Sequence, residues 1–339
     1  DFTNTEEQLA VVELDEPKET ETWANIVKQL REDEIQEGAQ AVLLGVGIRM
    51  RGRVRLVSQD KLPSDVDQAS ALQRLKDEII KEDTTINQNK WVRLADDNEE
   101  TDWQVVINAH GEYEIWDADG KTVPNLRPAV KSSAQNGAAT IVRRLVHLTK
   151  YRNVRLIENA DPSSTLARKL IIELGTNKLP DGKLGAINPE TGEPRVGTFG
   201  QPLGLRARPM SVGEIVILRV KNLSKKAVNL TVLDLAPDWG ISQVFPEPDP
   251  ETGVAKDYEL LEPGEENARL IKLRAWLPDG YQQGTDVIRA IATEEGTSFR
   301  WLELPVLDQP TTRSATRGPT NPLEELMTAF ASDQPTRHV

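Results

Sequence analysis

The chain contains no cysteine, which excludes disulfides, thiolate metal sites and a cysteine nucleophile within these residues. Histidine is scarce: His110 in a turn-forming His-Gly pair, His147 on the polar side of a helical stretch, and His338 near the end. A hydrolytic triad or a histidine metal centre needs converging groups, so no catalytic or metal-binding residue is expected. No run of about 18 apolar residues occurs, so no membrane span is expected. Basic residues are outnumbered 54 to 41, and the net charge of −13 repels phosphate, which argues against nucleic-acid binding. The lack of cysteine fits a reducing, cytoplasmic setting.

Cofactor loops are lacking as well. Gly45-Val46-Gly47 has neither the third glycine nor the following helix of a dinucleotide site. Asp117-Ala118-Asp119-Gly120 begins like a calcium loop but lacks the later ligands, and is read as a hairpin turn. Asp1-Phe2-Thr3-Asn4 carries neither an initiator methionine nor a signal-peptide pattern, so the chain is read as part of a longer or processed protein.

What is present is mostly strand-forming. From Gly213 to Leu304, Val216, Leu218 and Val220 alternate with Ile217 and Arg219, and Val228, Leu230 and Val232 repeat the period. Ile271, Leu273, Ala275 and Leu277 continue it, as do Ile288, Ala290 and Ala292, while Pro237-Asp238 supplies a turn before Trp239–Phe245. Leu170, Ile172 and Leu174 start the set. These short strands predict an antiparallel β-sandwich over 165–308. It is interrupted at 176–209 by a Gly- and Pro-rich loop without periodicity, read as a mobile insertion or a functional loop. Trp239, Phe245, Trp276 and Trp301 are read as filling its core and edges.

Upstream, residues 62–160 read as a small αβββα domain. A helix capped by Ser64 carries Leu72, Leu75, Ile79 and Ile80, strands run near Trp91, Trp103 and Tyr113, and a helix spans Ser133 to Lys150. Its Arg143, Arg144, Lys150, Arg152 and Arg155 are read as a solvated face. Residues 1–58 hold strands at Leu9–Leu14, Ala39–Gly45 and Arg53–Val57 and a helix around Trp23, Ile26, Val27 and Leu30. Such a β-rich segment is marginal alone and is expected to be truncated, completed by a strand further upstream. The fold class expected is therefore α+β and multidomain.

After Leu307 the Pro/Thr-rich stretch opens a linker, 309–339, ending in Asn321-Pro322 and an acidic first turn, a helix-start signature. Leu323, Leu326, Met327 and Phe330 then fall at i, i+3, i+4 and i+7. A helix this short is unstable free in water, so these residues are the candidate partner-binding stripe, docking in cis or on another chain.

Several runs resemble the region downstream of the protease domain in bacterial caspase-like peptidases common in cyanobacteria. They are Arg143 to Asn159, Asp161 to Leu174, Leu230 to Pro246, Leu277 to Ile288 and Phe299 to Pro310, with AQAVLLG, GEYEIWDADG, Val123 to Pro128 and the NPLEEL tail. The resemblance covers most of the chain and implies kinship, not a site. The family uses a His/Cys dyad on an α/β caspase fold and cleaves after basic residues. With no cysteine here, the dyad has no counterpart. The implied role is an accessory C-terminal region that holds substrates, restrains the protease or docks it, with a protein partner or the upstream protease domain as its target. A freestanding interaction or scaffold module is the alternative, and a hydrolase using carboxylates near 176–209 is a third reading.

Overall fold

The period-two runs form strands and two stretches of helical periodicity form helices, giving a mixed α/β protein in which sheet predominates. The computed structural model describes residues 10–14, 24–29, 51–60, 62–64, 66–84, 91–158, 164–176, 199–204, 208–249, 251–254 and 256–310. The chain divides into two units: Asp1–Asn153 with Glu325–Val339, and Val154–Glu324.

In the first unit, β1 (Ala10–Leu14) pairs antiparallel with β2 (Ala24–Gln29), with a register shift between Val11 and Val12. The stretch around Ile26 and Val27 is thus a strand, not the helix expected from its spacing. Ala-Asn-Ile-Val-Lys-Gln is β-branched at its centre, and the hairpin partner overrides a weak helical period.

A five-stranded sheet follows, ordered β4 (Val92–Leu94), β3 (Gly52–Leu56), β5 (Trp103–Ile107), β6 (Glu112–Asp117) and β7 (Val130–Lys131). The run Arg53–Val57, assigned from the sequence to the N-terminal segment, lies inside this sheet, parallel to both β4 and β5. Parallel neighbours need a crossover, and α1 (Gln68–Thr84) connects β3 to β4. Its cap is Asp67, whose Oδ1 accepts from Ser70 N at 3.1 Å, rather than Ser64. A turn closed by Val66 N on Pro63 O, 3.0 Å, delays the helix by several residues.

Leu72, Leu75 and Ile79 of α1 and Ile141, Leu145 and Leu148 of α2 (Gly137–Leu156) are buried with Val105, Ile107 and Ile115. Tyr113 donates to Ala71 O of α1 at 2.9 Å, and Trp103 Nε1 donates to Thr149 Oγ1 of α2 at 3.0 Å. Trp103 and Ile107 share a strand face and Tyr113 pairs with Ile107, so both helices bond to the same face of the sheet. A Cβ at Gly52 would collide with the Thr149 hydroxyl and lie 3.0 Å from Trp103 Nε1. Gly52→Ala is therefore expected to cost about 1–3 kcal/mol, read as a lower urea midpoint with an unchanged slope.

The basic group on α2 is not a solvated face. Arg144 is buried and donates to Pro128 O at 2.8 Å, and buried Lys150 lies 5.1 Å from the centroid of the Trp91 ring. Arg152 bonds Asp102 Oδ1 at 2.7 Å, and Arg53 reaches the same carboxylate through its backbone N (2.9 Å), Nε (3.0 Å) and Nη2 (3.0 Å). Only Arg143 and Arg155 of the five are exposed.

Among the described residues, the second unit holds two four-stranded sheets. One is ordered β14 (Gly264–Arg274), β10 (Ile215–Asn222), β8 (Leu170–Thr176) and β9 (Pro202–Leu203). In the other, β15 (Val287–Thr293) runs along one edge of β11 (Val228–Leu235). Because β15 pairs through Asn229–Leu235, β12 (Ile241–Phe245) and β13 (Glu259–Leu261) share the opposite edge end to end.

The alternating residues of both sheets enter one apolar cluster. Leu218, Val220 and Ile271 of the first meet Val228, Leu230, Val232 and Leu261 of the second, with Leu170, Ile172, Leu174, Ile288, Ala290 and Ala292 packed on it. The stretch 176–209 is not wholly loop. Its return forms β9 against β8, and Phe199 lies over Gly175, where a Cβ would come within 2.7 Å, and 3.8 Å from the Arg219 guanidinium carbon.

Candidate functional site

Strand register gathers several loops of the second unit at one end. β10 begins opposite the end of β14, since Ile215 pairs with Arg274, and β8 ends there too, with Thr176 opposite Val216. In the other sheet, Leu235 pairs with both Ile241 and Val287. The connection 275–286 joins β14 to β15 and therefore the two sheets. It seats on the β11–β12 turn: a Cβ on Gly284 would lie 2.5 Å from Pro237 Cβ and 3.0 Å from Leu277 Cδ1. Loops gathered on a rigid sheet frame are where such folds place recognition groups.

Two large apolar side chains project from this end: Trp276 is 57% exposed and Val212 68%. They are held as cross-strand neighbours, because Gly213 N donates to Ala275 O and Ala275 N to Glu214 O, both at 2.8 Å. Glu214 is itself fixed by Arg208 and by Ser211 N at 3.1 Å. Of the core and edge positions expected for the tryptophans, Trp276 does not take a core one. It follows Leu273 and Ala275 by an odd step, and so takes the face turned from the cluster.

Beside these loops lie three carboxyls. Asp234 continues the cluster-facing parity of Val228, Leu230 and Val232, opposite Ser242 on β12 and Ile288 on β15. Its Oδ1 is buried without a hydrogen-bond partner. Burial first, then the charges of Asp286 and Asp238, push its pKa from the ordinary 3.8 up to about 7. Asp286, an exposed residue just before β15, is raised as well, by desolvation and then by Asp238. Asp238 is buried in the β11–β12 turn, where its Oδ1 accepts from Gly240 N at 3.0 Å and its carbonyl from Leu307 N at 3.1 Å.

A carboxyl neutral near pH 7 is a hydrogen-bond donor as well as an acceptor, which suits it to recognition or proton transfer. Among the described residues, no group of three or more His, Cys, Asp or Glu is arranged to hold a metal ion. A depression lined by Glu262, Glu266, Asn267, Ala268 and Arg269 lies along the start of β14, at the other end of the unit.

The candidate stripe Leu323, Leu326, Met327 and Phe330 lies outside the described residues, as do Gly45-Val46-Gly47 and His338. His110 sits in the β5–β6 turn, its backbone N donating to Asn108 Oδ1 at 2.9 Å, and His147 is half-buried on α2. Asp117-Ala118-Asp119-Gly120 is a turn: Asp117 Oδ1 accepts from Asp119 N (3.0 Å) and Lys121 N (2.9 Å), and Gly120 has φ +76°. Among the described residues, no helix is long and apolar enough to cross a membrane.

The elements and the site define a mixed α/β protein, mostly sheet, with a loop surface of exposed aromatic and clustered acid. No family model matches the chain, and no curated protein or solved structure matches it.

Proposed function

We propose that this chain is the non-catalytic, accessory C-terminal region of a caspase-like cysteine endopeptidase, acting in the cytoplasm to hold substrates or to dock the enzyme. Its second unit is read as a β-sandwich, supported by the one cluster that both four-stranded sheets share. The observation carrying the interaction role is the loop end, where Trp276 and Val212 stand exposed on a backbone pinned by two ladder hydrogen bonds. Large apolar groups held rigidly in solvent mark interaction sites, because partner burial recovers their hydrophobic free energy at little ordering cost. The kinship rests on the sequence runs. Leu230 to Pro246 covers most of β11 and all of β12, and Leu277 to Ile288 covers the loop that carries Asp286.

The test is the full-length gene product assayed on short peptides ending in Arg or Lys and on protein substrates. Trp276→Ala is expected to leave short-peptide turnover unchanged and to raise KM for protein substrates about tenfold, the cost of a removed aromatic anchor. A gene product with no cysteine-dependent peptidase activity removes the protease reading. Trp276-dependent capture of a partner by such a product favours the freestanding interaction module instead.

A further inference from the structure

We propose that β15 is a self-pairing edge through which two copies of this chain join. β15 pairs with β11 in unbroken register from Asn229↔Thr293 to Leu235↔Val287, and among the described residues no strand lies on its far side. A free edge is a template for another strand, and proteins blunt such edges with charge, proline, bulges or brevity.

The other edges of the three larger sheets carry these devices. β14 bears Glu265, Glu266, Arg269, Lys272 and Arg274, and β9 has two residues, one of them Pro202. β12 is shifted in register and runs into Pro246, and β13 has three residues before Pro263. β4 and β7 have three and two residues, with Arg93 and Lys131. β15 has seven residues, Val-Ile-Arg-Ala-Ile-Ala-Thr, with one charge, no proline and no shift.

The partner that fits is a second copy. Antiparallel pairing about Ala290 sets Val287 opposite Thr293, Ile288 opposite Ala292 and Arg289 opposite Ile291, so no like charges meet. Each residue keeps its sheet face, with Ile288, Ala290 and Ala292 still turned to the cluster, and the two-fold makes the contact isologous. A shift that centres the pairing on Arg289 would oppose two guanidinium groups. Pairing through one strand buries little area, and each copy carries a net charge of −13, so the dimer is weak and strengthens with salt.

Light scattering on the full chain, in a concentration series into the hundreds of micromolar, reads this directly. The mass is expected to rise from 37.7 kDa toward twice that value, and a constant 37.7 kDa overturns the proposal. Ile291→Lys faces the second copy's Arg289 twice by symmetry and is expected to abolish the dimer. Ile291→Glu, placing a charge at the same position of the monomer, meets that arginine favourably and is expected to keep or tighten the dimer about fivefold. Any other ranking places the contact elsewhere and overturns the proposal. If neither variant folds, Ile291→Cys decides: residue 291 lies on the face turned from the cluster, one step from the axis, and in this cysteine-free chain a short bismaleimide is expected to link two copies, while no linked dimer overturns the proposal.

Discussion

Replacing Asp234 with asparagine is expected to stabilise the second unit by roughly 2–4 kcal/mol at about pH 8 and to change it little at about pH 4. The native carboxyl is held near 7 against an ordinary 3.8, first by desolvation and then by the charges of Asp286 and Asp238, and its Oδ1 has no hydrogen-bond partner. The groups set around it are Asp286, Asp238, Ser242 and Ile288, while Arg289 alternates to the other face of β15. The folded state therefore keeps a proton that the unfolded chain releases. Stability from this group is fully present below about 3.8, falls as pH rises, and is lost once pH passes about 7. Three pK units correspond to about 4 kcal/mol, and the partial exposure of Asp234 lowers the figure toward 2. Asparagine keeps the shape and removes the charge, so the gain appears only on the alkaline side. Urea midpoints of wild type and variant across that range check it; a gain equal at both ends would mean that packing, not ionisation, sets the effect. Asp286→Asn is expected to move the wild-type titration downward by removing one of the two repelling charges.

The sheet-forming face of the second unit was legible because half-buried strands write burial directly as period two. Leu218, Val220, Leu230, Val232, Ile271 and Ile288 all lie in or on the cluster where alternation places them. What alternation does not carry is which strands are neighbours. Arg53–Val57 looked like the end of an N-terminal segment, since its partners β4 and β5 lie tens of residues downstream and no local signal records a parallel pairing. The stretch that forms β2 is ambiguous for a related reason. Ile26, Val27 and Leu30 satisfy a short helical spacing as well as a strand, and only the partner β1 decides.

The site was less legible. Trp276 counts as a core residue by type, yet its place one step past Ala275 turns it outward. Asp234 is itself a signal: it is the next even position after Val232, so an acid there must face the interior. A polar residue in an apolar register is worth more than another hydrophobic one, because it costs free energy to keep. Lys150 and Arg144 hide for the opposite reason. Charge in sequence suggests solvent, while Trp91 and Pro128, the groups that cover them, are remote along the chain.

Asp102→Asn is expected to destabilise the first unit by about 3–5 kcal/mol at neutral pH, with the opposite pH signature to Asp234. The Asp102 side chain is 4% exposed, so burial alone would push its carboxyl up. Hydrogen bonds from the Arg53 side chain and backbone, with the charges of Arg152 and Arg53, outweigh that and hold it below its ordinary value. Asparagine keeps the shape but offers one carbonyl oxygen to two half-buried guanidinium groups, which then stand close together without the carboxylate between them, leaving only the charges of Glu99 and Glu100 acting on Arg53. Because the folded carboxyl is the stronger acid, its contribution is present above the ordinary 3.8 and disappears as pH falls through the lower folded value. Wild type and variant should therefore converge in acid, where Asp234 and its asparagine variant also converge, and separate toward neutrality in opposite directions. Equal loss at low and neutral pH would show that Asp102 acts through shape alone, and would leave Arg53 and Arg152 held to the sheet by packing.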